Sequence, residues 1–139
     1  MRNWSMFSKL LQSTVESSEI EAWLQIESKG ITMQRIGMAL RLKAGSAEAY
    51  KAYHREVWPE VLEKLQECNI RNYSIYFKDD LLFSYFEYHG NDLEADRLQM
   101  ASHAKTREWW VIMETLQDPL PTRKEGEWWA EMEEVFHLD

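Results

Sequence analysis

The sequence predicts an α+β domain in which two helical regions pack on one face of an antiparallel sheet. Three observations predict it. Gln34–Lys43 and Asn72–Phe77 alternate in hydrophobicity as half-buried strands do. Apolar residues recur at helical spacing after Ser46 and again after Asp92. Turn-forming residues punctuate these segments at Gly45-Ser46, Lys78-Asp79-Asp80 and Pro119/Pro121.

In the first strand Ile36, Met38, Leu40 and Leu42 face one way against Arg35, Gly37 and Arg41. Ser46 is placed to cap a helix reaching about Glu67, with Ala49, Tyr50, Tyr53, Val57, Leu62 and Leu65 on its apolar side. Pro59 lies inside that span and removes a backbone donor, so a kink or break falls near Glu56–Trp58. Asn72–Phe77 forms the second strand and Leu81–Tyr88 the third, joined by Lys78-Asp79-Asp80. A second helical region spans Asp92–Gln117, divided around Ala101–Lys105, with Trp109, Trp110, Met113 and Leu116 on one side. After a polar loop at Glu125–Glu131 that carries Trp128-Trp129, Met132–Leu138 is expected as a last short strand with Glu131, Glu133 and Glu134 on its solvated face.

The order strand, helix, strand, strand, helix, strand is the split βαββαβ arrangement of a ferredoxin-like sandwich. Its sheet has one face under helices and one open. An open face carrying Tyr73 or Tyr76 must be covered by a second subunit or shape a ligand cavity, so a homodimer is expected. Residues 1–32 stand apart as an N-terminal extension, expected to be helical: Trp4, Phe7, Leu10 and Leu11 fall at roughly helical spacing, and Ser18 with Glu21 can form a capping box. The domain proper is 33–139, and Met33 is a possible second start.

With 139 residues the chain suits one such domain. A net charge of -8 argues against nucleic acid and against anionic membrane surfaces. No stretch approaches the roughly 20 apolar residues of a membrane span. A single cysteine, Cys68, cannot close a disulfide within the chain, which with no clear secretory signal points to the cytoplasm.

The chemistry concentrates in an aromatic and histidine constellation. Tyr50, His54 and Trp58 are four residues apart, which on one helix lines up a phenol, an imidazole and an indole. His54 has the one side-chain type that gives and takes protons near neutral pH, although a half-exposed helix histidine with no such task is the plain alternative. Trp109 and Trp110 are neighbours whose side chains diverge by about 100° on a helix, so both cannot sit in one core. One of them must reach a cavity or an interface. Trp128-Trp129 has the same two-sided character and suits an inter-subunit contact or a lid. The remaining histidines (His89, His103, His137) are scattered without metal-ligand spacing, and no glycine-rich phosphate loop or nucleophile elbow is present, so no metal and no cofactor are expected.

These residues carry a resemblance. Tyr50-Lys51-Ala52-Tyr53-His54, Val57-Trp58-Pro59-Glu60, Asn72-Tyr73-Ser74-Ile75-Tyr76, Leu81-Leu82-Phe83, Trp109-Trp110 and Glu134-Val135-Phe136, in this order, resemble the L-rhamnose mutarotase family from Met33 to the end. The resemblance implies a dimeric ferredoxin-like α+β barrel and a cofactor-free enzyme that interconverts the α and β anomers of L-rhamnose, or a related 6-deoxy sugar, by opening and reclosing the pyranose ring. It further implies that His54 is the proton donor, that Tyr50 and Tyr73 contact the sugar, and that Trp109 and Trp110 form its binding pair. Trp58 is left as a packing residue. Two alternatives stay open: a cofactor-free monooxygenase of the same barrel architecture acting on polycyclic aromatics and, in a different class, a non-catalytic sugar-binding or assembly module in which His54 is silent.

Overall fold

The expected alternation of the first strand is what seats it at the centre of the sheet. In the computed structural model, which describes residues 33–139, β1 spans Gln34–Leu42 and buries Ile36, Leu40 and Leu42 on its helix-covered side. The helices expected within residues 1–32 lie outside the described residues.

A turn through Gly45, whose φ of +81° suits a residue without a Cβ, leads into α1 (Ala47–Arg55). Ser46 occupies the N-cap position but its side chain does not cap. Its backbone is already in the right-handed helical region (φ -91°, ψ -9°), rather than the extended conformation from which a cap hydroxyl reaches back to the first turn. The long first helix is broken in two rather than kinked: α2 (Pro59–Glu67) starts on Pro59, and Trp58 before it is extended at φ -58°, ψ 131°.

β2 (Ile70–Lys78) and β3 (Leu81–Tyr88) form a hairpin whose two linking residues, Asp79 and Asp80, both have positive φ (50° and 59°), the geometry of a primed hairpin turn. The second helical region divides at His103, which is extended (φ -77°, ψ 121°), giving α3 (Leu93–Ser102) and α4 (Ala104–Leu116). Asp92 caps α3 by accepting the Ala95 N–H at 3.1 Å.

Two short strands complete the sheet along the free edge of β1. β4 (Gln117–Asp118), where the sequence pattern predicted the helix end, pairs with Leu42 and Arg41. β5 (Ala130–Met132) pairs with Ala39–Gly37. The strand expected over Met132–Leu138 is therefore displaced toward the N-terminus, and residues 133–139 are in no strand. Alternating polarity needs a surface against which to bury its apolar side, and the described residues offer none: Val135 is 87% exposed, and Phe136 and Leu138 are also largely bare. A bidentate ion pair ties this stretch down instead, with Arg35 donating to Glu134 at 3.0 and 2.8 Å. Glu134 thus belongs to a specific contact rather than to a solvated strand face.

The sheet order is β2-β3-β1-β4, with β5 on the same edge of β1 as β4 and all pairings antiparallel. Among the described residues the architecture is α+β, an antiparallel sheet with four helices. The covered face holds two apolar clusters. One gathers Leu40, Leu42, Tyr50, Val61, Leu82, Trp109 and Met113; the other gathers Ile36, Cys68, Ile70, Phe86, Tyr88 and Met100. The second is closed by a polar clasp: the Tyr88 hydroxyl donates to Asp96 at 2.5 Å and accepts the Asp92 N–H at 3.0 Å, while the Asn69 amide donates to Asp96 at 3.1 Å. Gly90 lies against it, and a Cβ there would stand 2.3 Å from the Tyr88 hydroxyl oxygen. Gly90→Ala is expected to destabilise the fold by about 1–3 kcal/mol through overpacking, read as a lowered midpoint in thermal unfolding.

Candidate active site

The break after α1 leaves Tyr50 and His54 as a pair on one helical turn. Their rings stack with centroids 4.1 Å apart. Trp58, beyond the break, does not join that stripe or line the cavity described below. It packs edge-on against Trp109 from the start of α2, at 5.3 Å.

His54 is held twice by its neighbour one turn back, since besides the stacking its Nδ1 lies 2.8 Å from the Tyr50 carbonyl oxygen. A carbonyl only accepts, so Nδ1 carries the hydrogen and Nε2 is left with its lone pair. No protein partner engages Nε2 among the described residues. Burial lowers the pKa of His54 below 6.5, and the backbone bond opposes this only in part. At neutral pH the site therefore presents a neutral imidazole with a free basic nitrogen.

Trp109 is the wedge of the site. Only 5% exposed, it meets Tyr53, His54 and Trp58 edge-on at 6.0, 5.4 and 5.3 Å. Trp110, its neighbour, is 39% exposed, so the pair divides between core and opening as their helical divergence requires.

Tyr73 reaches the same space because β2 is irregular. Arg71 pairs with Glu87 and Ser74 with Tyr85, so three residue steps on β2 are matched by two on β3. That extra residue is a β-bulge. Asn72 absorbs it with a left-handed φ of +48°, and its side-chain amide donates to Glu87 at 2.7 Å. In an unbroken ladder Tyr73 would oppose Tyr85 on the open face. The bulge turns it to the helix-covered face, where its ring meets Phe86 edge-on at 5.6 Å. Desolvation pushes its hydroxyl pKa up to about 12. The Tyr50 hydroxyl is raised too, by burial first and then by the nearby Tyr73. Both phenols are neutral hydrogen-bonding groups under ordinary conditions.

All five residues singled out in the sequence, Tyr50, His54, Tyr73, Trp109 and Trp110, line one cavity of about 250 Å³. Sequence reasoning missed other parts of its wall. Met113 and Glu114 follow Trp109 and Trp110 by one helical turn, a spacing that placed them on the same face. Ile75 follows Tyr73 by two on β2. Gln117 comes from β4, and Trp128 and Trp129 from the loop before β5. Nothing local in the sequence assigns these last three, because their positions depend on how the chain returns to the edge of β1. Of the two roles weighed for the tryptophan pair, the structure supports a covering role within the chain: the Trp128 indole N–H donates to Gln117 Oε1 at 2.8 Å, and Trp129 packs on the first apolar cluster.

Among the described residues no group of three or more His, Cys, Asp or Glu is placed to hold a metal ion, and no helix is long and apolar enough to cross a membrane.

The pattern shared by the L-rhamnose mutarotase family matches residues 35–138. The chain belongs to the L-rhamnose mutarotase family. Among members of that family, the L-rhamnose mutarotase of Sinorhizobium fredii is 35% identical over 109 residues, covering 76% of this chain and 99% of that protein. That of Flavobacterium johnsoniae is 33% identical over 111 residues, covering 76% and 95%. A crystal structure of the L-rhamnose mutarotase of Formosa agariphila superposes with a TM-score of 0.61 over 76% of this chain and 99% of that one, at 24% identity. The fold described above is therefore shared with that mutarotase.

The bulge gives a direct test of how Tyr73 is aimed. Asn72→Gly and Asn72→Val both delete the bond to Glu87, but only valine resists a positive φ, at a cost of about 1–2 kcal/mol. The valine variant is expected to unfold at a lower temperature than the glycine variant and to lose near-ultraviolet circular dichroism from the displaced tyrosine.

Proposed function

We propose that this chain interconverts the α and β anomers of L-rhamnose, with His54 moving the proton and Tyr50, Tyr73, Trp109 and Trp110 holding the sugar. The observation that carries the reading is the neutral imidazole with a free Nε2 facing a small aromatic cavity, in a member of the L-rhamnose mutarotase family. Names given to the relatives point the same way.

Ring opening transfers one proton from the anomeric oxygen O1 to the ring oxygen O5 as the C1–O5 bond breaks. Both oxygens are bonded to C1, so one imidazole can serve both. Nε2 takes the O1 proton, and the imidazolium so formed donates it to O5, releasing the open-chain aldehyde. Rotation about C1–C2 turns the other carbonyl face toward O5. Closure reverses the transfer: O5 attacks C1 and gives up its proton, and O1 regains one. Phenol hydroxyls that stay neutral can orient the sugar hydroxyls without competing for the proton, and indole faces can cover its C–H surface and 6-methyl group. A cavity of about 250 Å³ suits a monosaccharide and is tight for a polycyclic aromatic, since ordinary small-molecule pockets run to about 300–1,000 Å³.

A homodimer with the ferredoxin-like barrel architecture belongs to the same proposal. The sheet face away from the helices carries Tyr76, 62% exposed and stacked on Phe83 at 6.2 Å, with Leu81 also exposed. An apolar sheet face of this kind is ordinarily covered. Cytoplasmic residence accords with Cys68, a buried free thiol that is the only cysteine of the chain.

NMR exchange between the two anomeric proton signals of L-rhamnose tests the activity. Wild-type protein is expected to speed the exchange, and His54→Ala to lower the rate by about 10²–10⁴-fold while still binding the sugar. An unchanged rate in the variant would remove His54 from the mechanism; no acceleration by the wild type would leave a sugar-binding module. The acid limb of kcat/KM is expected below pH 6.5, because catalysis needs the neutral ring and burial lowers the folded-state pKa. A limb above 6.5 would contradict that assignment. Light scattering should give a dimer for the wild type and a monomer for Phe83→Glu.

A further inference from the structure

We propose that Gln117 is a further sugar-contacting residue, donating an amide N–H to the ring oxygen of the bound sugar, and that Trp128 fixes it in that orientation. The inference rests on the reading of the cavity as a rhamnose site.

Gln117 is 4% exposed, yet it lines the cavity. Two anchors hold it. Its backbone pairs with Leu42 as part of β4, and its side-chain oxygen accepts the Trp128 indole N–H at 2.8 Å. An indole nitrogen can only donate, so this bond settles which end of the amide is which. Oε1 faces Trp128, and the NH2 group is turned the other way. Tyr50 lines the same cavity. The amide acts against the burial that raises the Tyr50 pKa, which is the direction expected when an N–H faces the phenol oxygen. The amide NH2 carries two N–H donors, and neither is taken by Trp128, whose bond goes to Oε1.

The donors on this wall have a specific match in the substrate. Every hydroxyl of a pyranose can donate or accept, but the ring oxygen has no hydrogen and can only accept. It is also the atom on which negative charge grows as the C1–O5 bond breaks, so a fixed donor there tightens its bond in the transition state. His54 Nε2 presents a lone pair and so suits O1–H; Gln117 presents N–H and so suits O5. The lone pair and the N–H thus distinguish the oxygens between which the proton moves.

The test compares Gln117→Met, Gln117→Glu and Trp128→Phe by anomeric exchange, with thermal unfolding as the control. Gln117→Met has no donor at all, and Gln117→Glu, assayed near pH 8, keeps an acceptor for Trp128 while losing the N–H. Both are expected to lower kcat by roughly tenfold to a hundredfold, the range for one lost transition-state donor, with KM much less affected. Trp128→Phe keeps the ring but frees the amide to turn, so a smaller loss in kcat is expected. A purely structural Gln117 would move the unfolding midpoint and leave kcat alone, and that result overturns the proposal. If the wild type does not speed exchange, the mutarotase reading falls, and L-rhamnose titrations followed by tryptophan fluorescence decide the contact: weaker binding by Gln117→Met upholds it, equal or absent binding overturns it.

Discussion

Packing around Trp109 is the constraint on which the rest of the site depends. A rigid indole set between α1, the start of α2 and the sheet cannot be compressed, so Tyr53, His54 and Trp58 must each approach it by an edge. Tyr50 and His54 of α1 and Trp109 and Trp110 of α4 line the cavity beside it. His54 is then held on three sides: stacked on Tyr50, bonded to the Tyr50 carbonyl, and backed by Trp109. An imidazole so confined keeps one tautomer and one direction, and that separates a group able to relay a proton from a histidine merely present on a surface.

The site is also a matter of what the backbone was made to do. Pro59 ends one helix and begins the next, which takes Trp58 out of the Tyr50–His54 stripe and makes it a buttress. Asn72 inserts one residue into β2 and so exchanges which face Tyr73 sees. Each is a single local departure from regular structure. Each moves an aromatic ring to the opposite side of a boundary, Trp58 out of the cavity wall and Tyr73 into it.

Much of this was legible in the sequence because it is encoded locally. Alternation gave β1, the hairpin residues gave the Asp79-Asp80 turn, and Pro59 gave the break in the first helix. The five residues chosen for the site converge on one cavity because four of them sit on helices, where spacing alone decides direction. What escaped depends on distant partners. Gln117 is read as a helix end until β1 is there to pair with it, and the last strand was placed too late because its polarity pattern runs beyond the edge available to it. Ser46 failed as a cap for a subtler reason, since composition names the residue but not its φ and ψ.

The cavity wall draws on α1, β2, α4, β4 and the loop before β5, so it joins the beginning of the domain to its end. No early-forming hairpin or helix pair contains it, and it can exist only once the long-range pairings along β1 are complete. A sugar seated there would grip the whole domain rather than a local element. Occupancy would therefore be linked to global unfolding, with each gain in ligand activity above the dissociation constant adding to the stability of every strand at once. A sugar bound there would act as a conformational stabiliser of the whole domain.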